Sequence, residues 1–125
     1  MEGGKRMTAV ELVMIGAGGF IGAVIRYFIS GRLNREGSLP YGTLAVNLTG
    51  SLLIGILVGL DIPMLWKLLL VSGFAGALTT FSTLNKELLE LWNANRKLQF
   101  LSYISFTYGV GMLLGYSGFL IGVAL

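Results

Sequence analysis

The chain contains no cysteine and no histidine. Disulfide staples, thiol chemistry, zinc sites built on those ligands and the usual near-neutral proton carrier are thereby excluded. Charge is scarce as well, at 12% of residues, and there are only two prolines. A soluble domain carries about 25% charged residues, so an ordinary water-facing surface cannot be assembled from this composition. What fills the 125 residues is apolar: 54% are hydrophobic, and the mean hydropathy is +0.79. This is the composition of an integral membrane protein.

Crossing a hydrocarbon core of ~30 Å takes about 20 helical residues. Four windows reach that length: 9–29, 41–60, 65–85 and 98–125. They predict an all-α membrane protein, one four-helix unit over residues 1–125, with almost the whole chain in the bilayer. The first window is too long for a cleaved signal and is interrupted by Glu11, Gly16, Gly18 and Gly19, so it is expected to remain as a span. Turn chemistry marks the connections at 30–40, 61–63 and 93–97. Beyond Asn85, residues Leu88, Leu89 and Trp92 recur at helical spacing opposite Lys86, Glu87 and Glu90, so the third helix is expected to emerge into the interface there. Trp66 and Trp92 would anchor that helix at the two headgroup levels.

The nine basic residues give a net charge of +3 but form no stripe, which argues against nucleic acid as a partner. Four spans place both termini on one side. Lys5, Arg6 and Lys67 then oppose Arg32, Arg35, Lys86, Arg96 and Lys97. So slight a bias permits insertion in both orientations, and with it an antiparallel homodimer. Glycine is abundant, at 19 residues, and four pairs are spaced four apart: Gly18 with Gly22, Gly55 with Gly59, Gly111 with Gly115, and Gly118 with Gly122. Such spacing lets helix backbones approach closely.

The run Gly73-Phe-Ala-Gly-Ala-Leu-Thr-Thr-Phe-Ser-Thr83 reads as a helix broken inside the third span. Irregular backbone at membrane depth survives only where protein or a polar cavity satisfies it, so the run points to an ion or substrate site. Lone serines and threonines in the spans either bond back to a carbonyl one turn away or bridge helices. Arg26 is either a snorkelling anchor or a vestibule charge, because an arginine left in lipid costs at least ~2.5 kcal/mol. Asn47, central in an uncharged helix, serves a polar conduit or an interhelical bond, and its amide offers two donors to an anion. No carboxylate is expected deep in the membrane, since Glu11 lies about one turn into its span. Hydroxyl, amide and guanidinium donors without a buried acid suit a small anion better than a cation.

Three segments in order, Gly18-Gly-Phe-Ile-Gly-Ala-Val-Ile-Arg-Tyr27, Gly42-Thr-Leu-Ala-Val-Asn-Leu-Thr-Gly-Ser51 and the 73–83 run, resemble the CrcB/Fluc family of small fluoride ion channels over essentially the full chain. The resemblance implies an antiparallel, dual-topology homodimer with two pores in the cell inner (plasma) membrane, among membrane lipid. It also implies passive export of fluoride that lowers the intracellular concentration, with no enzymatic activity. By position, Asn47 matches the family's pore asparagine, Arg26 its first-helix arginine, and Phe81 the first phenylalanine of its aromatic box, whose positive ring edge can face an anion. Tyr103 and Thr107 match its polar track. Backbone carbonyls of Gly76 and Thr79 from both subunits match a central, structural sodium site. The second box phenylalanine falls at Leu84, which has no ring edge. That change is expected to weaken one anion station or to leave Phe81 and the donors to suffice. Two other classes stay open on the residues alone. One is a proton-coupled multidrug carrier using Glu11, and the other is a purely structural membrane subunit.

Overall fold

The computed structural model describes residue 6, residues 8–34 and residues 39–125. Lys5 and Arg35 of the loop-charge comparison lie outside the described residues, as does part of the 30–40 connection. The elements are α1 (Ala9–Leu33), α2 (Tyr41–Gly59), α3 (residues 64–78), α4 (Phe81–Asn93) and α5 (Lys97–Ala124). Four helices are long and apolar enough to cross a membrane, α3 and α4 together making the third crossing, Met64–Asn93. Among the described residues there is no strand. The protein is a multi-pass membrane protein.

A reciprocal capping box starts α1. The Glu11 N–H donates to the Thr8 hydroxyl at 3.2 Å, and Glu11 Oε1 accepts from the Thr8 N–H at 2.8 Å. The helix runs four residues past the expected Ile29, through Ser30 to Leu33, and stops where the Asn34 side chain turns away to bond α2. At the start of α2, Pro40 supplies no side-chain cap. Asn34 supplies it from across the connection: its Oδ1 accepts from the N–H groups of Gly42 at 2.7 Å and Thr43 at 3.2 Å.

The third crossing is not one regular α-helix. Residues Leu68–Ala75 are π-helical, and Gly76–Leu78 return to α geometry. Thr79 (φ −81°, ψ 157°) and Thr80 (φ −148°, ψ 116°) are extended, and helix resumes at Phe81. Thr80 caps α4 through its hydroxyl, which accepts from the Thr83 N–H at 3.3 Å. A second π-helical stretch, Phe106–Val110, lies within α5. Such turns in helices cluster at functional sites. Between α4 and α5, Asn95 takes a left-handed conformation (φ 60°), and the Arg96 N–H reaches back to the Leu91 carbonyl at 3.0 Å.

Packing pairs α1 with α3 and α2 with α5. Both seams are built on glycine. A methyl at Gly18 would fall on the Leu69 carbonyl oxygen, and one at Gly22 on that of Phe74. Across the other seam, methyls at Gly55 and Gly122 would meet the carbonyls of Gly115 and Ile56. Gly111 and Gly115 are looser, with ordinary contact distances of 3.6 and 3.8 Å to Ser51 atoms. In lipid, association between helices comes from such close approach rather than from hiding apolar surface. Consistently, large residues such as Val13, Tyr27, Met112 and Leu113 stay exposed.

One cluster resembles a soluble core: Leu84, Leu88, Leu91 and Tyr103, backed by Leu39, Leu44, Phe100 and Ile104. Of the apolar set Leu88, Leu89 and Trp92, only Leu88 is buried. Leu84, Leu88 and Leu91 turn inward, while Leu89 and Trp92 are exposed. The inward stripe is selected by the Tyr103 ring and carries Glu87 into the bundle with it. Trp92 packs edge-on to Phe100 at 5.3 Å, with Lys97 Nζ 4.9 Å above its ring.

Candidate functional site

Where Thr79 and Thr80 leave helical geometry, their neighbours lose their usual partners, and α2 compensates. Asn47 Oδ1 accepts from the Thr80 N–H at 2.8 Å, and Asn47 Nδ2 donates to the Thr80 carbonyl at 3.3 Å. Both residues are buried. An amide has two N–H donors, and the second on Asn47 has no protein partner among the described residues. The site lies beside an open cavity of about 330 Å³, lined by Asn47, Ser51, Phe81, Leu84 and Thr107 among others. Phe81 is 65% exposed at its rim, and Leu84 is buried in its wall. Thr107 is 9% exposed, and its hydroxyl is buried without a hydrogen-bond partner. An orphaned buried hydroxyl is costly, and Thr107 carries one in the wall of this cavity.

Of the sequence-predicted residues, Asn47, Phe81 and Thr107 therefore meet at one cavity, which Thr79 also lines. Arg26 does not join them there. Its Nη1 donates to the Thr79 carbonyl at 3.5 Å from the α1 side. Gly76 is exposed, and its carbonyl accepts the Thr79 hydroxyl at 3.3 Å.

Tyr103 lies one turn before Thr107, fully buried, and its hydroxyl donates to Glu87 Oε1 at 2.9 Å. The Thr43 hydroxyl donates to Glu87 Oε2 at 3.0 Å, and Asn34 Nδ2 reaches both, Thr43 Oγ1 at 3.2 Å and Glu87 Oε2 at 3.4 Å. Sequence reasoning placed Glu87 on a polar face opposite Leu88, whereas the structure turns it, half-buried, toward Thr43 and Tyr103. Thr43, Asn47 and Ser51 recur every four residues along α2, so they form one polar line from the Glu87 cluster to the cavity. That period was the available signal for Thr43 and Ser51. Thr80 was visible within the 73–83 run, but Glu87 and Asn34 carried no periodic signal.

Residues 13–119 match the family model described as CrcB-like protein, Camphor Resistance (CrcB). The chain is 39% identical over 115 residues to Fluoride-specific ion channel FluC 2 of Bacillus cereus (strain ZK / E33L), covering 90% of this chain and 98% of that one. It is 45% identical over 98 residues to Fluoride-specific ion channel FluC of Methanococcus aeolicus, covering 75% and 80% respectively. A third relative, Fluoride-specific ion channel FluC 1 of Listeria innocua, is 38% identical over 117 residues, covering 91% and 98%.

Proposed function

The chain belongs to the CrcB-like family, and from that membership together with the cavity we propose that it is a fluoride-selective passive channel, not an enzyme, exporting fluoride across the cell membrane. The observation that carries this reading is the meeting of Asn47, which keeps one amide N–H unspent, Thr107, whose hydroxyl has no partner, and the exposed Phe81 ring as lining residues of one open cavity. Fluoride entering there would exchange water for amide and hydroxyl donors, with the Phe81 edge as a neutral positive surface. Selectivity would follow from the width of the path and the strength of the donor field.

The cavity is open on one side, and α4 exposes Ser82, Asn85 and Lys86 along a membrane-crossing segment. Polar side chains left in lipid are expensive, which supports a second copy covering this face. An antiparallel partner would bring its own cavity, hence two pores per dimer.

The carbonyls of Gly76 and Thr79 fit a structural sodium ion by donor chemistry. Neither accepts a backbone N–H among the described residues, because the Thr80 N–H goes to Asn47 and the Thr83 N–H to the Thr80 hydroxyl. Each accepts one side-chain bond, from Arg26 or from the Thr79 hydroxyl, and the lone pair that remains is the hard oxygen donor such a cation prefers. The ion would be held by the Gly76 and Thr79 carbonyls of both subunits, sharing the Thr79 oxygen with the Arg26 guanidinium. Exchanging sodium for N-methylglucamine is expected to lower the unfolding midpoint of the dimer by roughly 5 °C or more, measured by thermal scans in detergent.

Purified protein in liposomes tests the reading. With a potassium–valinomycin shunt, fast fluoride release without chloride release is expected. Without the shunt, release should stall, because an uncompensated anion current charges the membrane. The half-buried Glu87 favours one competing reading, a proton-coupled exporter, which would run electroneutrally and need no shunt. Fluoride release that ignores the shunt would replace the channel with that exporter. Glu11→Gln is expected to leave release unchanged, because the side-chain oxygen that accepts the Thr8 N–H is retained. Loss of transport in that variant would restore the Glu11 carrier.

A further inference from the structure

Asn34 belongs to none of the three family-like segments, yet its side chain, just past the end of α1, bonds both α2 and α4. The oxygen caps α2 through the Gly42 and Thr43 N–H groups, and the nitrogen donates to the Thr43 hydroxyl and the Glu87 carboxylate. The capping half of this role could be filled by an aspartate equally well. The donating half could not, because only the amide can hand an N–H to a carboxylate from the same planar group.

Among the described residues Glu87 is the one acidic side chain beside the polar line of Thr43 and Asn47, and its three partners tie it to α2, to α5 and to the residue after α1. A carboxylate at the end of an anion path repels the ion unless its charge is held in place and shared among donors. Resting on the fluoride-channel reading, we propose that Asn34 is a positioning residue for the ion path. Its Nδ2–H pins the Glu87 carboxylate against Thr43, which keeps the charge from swinging toward Asn47 and competing with the anion for hydroxyl donors.

Asn34→Asp keeps an oxygen for the Gly42 and Thr43 N–H groups, removes the donor and sets a second carboxylate against Glu87. Asn34→Asp with Glu87→Gln restores one donor facing one acceptor, with the roles exchanged. Fluoride release from liposomes is measured for the full-length wild type, both single variants and the double variant, well below each unfolding midpoint. The midpoints themselves are recorded in detergent.

Asn34→Asp is expected to release fluoride about tenfold more slowly than wild type or worse, and the double variant to recover most of that loss. Wild-type release per folded dimer in Asn34→Asp would overturn the proposal and leave Asn34 a helix cap. So would a double variant as slow as Asn34→Asp. If Asn34→Asp alone does not fold, recovery of folding and release in the double variant supports the pairing, and its absence overturns it. A wild type that is folded but releases no fluoride sinks the channel reading, and with it a role for Asn34 in an ion path. The midpoints would still show whether Asn34 and Glu87 are coupled.

Discussion

Asn47→Ala is expected to cut fluoride release by ten- to a hundredfold and to lower stability at the same time. The two losses have different origins. Stability falls because the Thr80 N–H and carbonyl, both buried, lose the amide that pairs them, and each buried backbone group left unpaired costs about 1–3 kcal/mol. Release falls because the remaining Asn47 N–H disappears from the cavity. A hydrogen bond to a charged partner contributes about 1.5–3 kcal/mol, which corresponds to roughly ten- to a hundredfold in rate if it is made mainly at the barrier. Asn47→Ser separates the two, because a hydroxyl is too short to reach both Thr80 groups but still offers a donor to the cavity. It is expected to be unstable yet faster than Asn47→Ala. Initial rates of fluoride release, normalised to the folded fraction from size-exclusion profiles, give the comparison. Equal rates for Asn47→Ala and wild type would remove Asn47 from the path and reduce it to a staple for Thr79 and Thr80.

Much of this architecture is readable from the chain because membrane spans need length and apolarity rather than periodicity. The four windows correspond to the four crossings, and the main errors are at ends that tertiary bonds determine. Nothing in Ser30 to Leu33 announces that α1 should continue to Asn34, since the stop is set by bonds to Gly42 and Thr43 across residues the sequence reads only as a turn. The inward face of α4 is not legible for a different reason. In a soluble helix the apolar stripe marks the core, but in a bilayer the outside is apolar too. Leu88, Leu89 and Trp92 form as plausible a stripe as Leu84, Leu88 and Leu91 until Tyr103 selects the second.

The same ambiguity concealed the acid. Glu87 stands between Lys86 and Leu88 and resembles any interfacial charge. Its partners come from α5, from α2 and from the residue after α1, separated from it by 16, 44 and 53 positions. No local pattern reports bonds over such distances. The cavity residues were legible because Asn47 and the 73–83 run are polar where lipid forbids polarity without a reason. An unexpected polar residue in an apolar span is a strong signal, whereas one in a polar stretch is no signal at all.

Gly22→Ala should have the second large effect, although it adds only one methyl and Gly22 does not line the cavity. That methyl would fall on the Phe74 carbonyl oxygen, with the Leu78 N only 3.1 Å away. Backbone cannot rotate aside as a side chain can, so α1 and α3 must separate. Overpacking of this kind costs about 1–3 kcal/mol, and here it also has a functional consequence. Arg26 stands one turn beyond Gly22 and reaches the Thr79 carbonyl at 3.5 Å, with no slack for a wider seam. Separation of even ~1 Å would exceed hydrogen-bond range and remove the guanidinium from the segment that Asn47 holds on its other side. Gly22→Ala is therefore expected to lower the unfolding midpoint by several degrees and to slow fluoride release as well. Gly16→Ala is the control, because a methyl there meets nothing within 4 Å, and a helical glycine replaced by alanine gains roughly 0.5–1 kcal/mol. If the two substitutions behave alike in thermal scans and in release, the glycine seam does not set the spacing of α1 and α3. Arg26 would then owe its place at Thr79 to something other than the close approach of those helices.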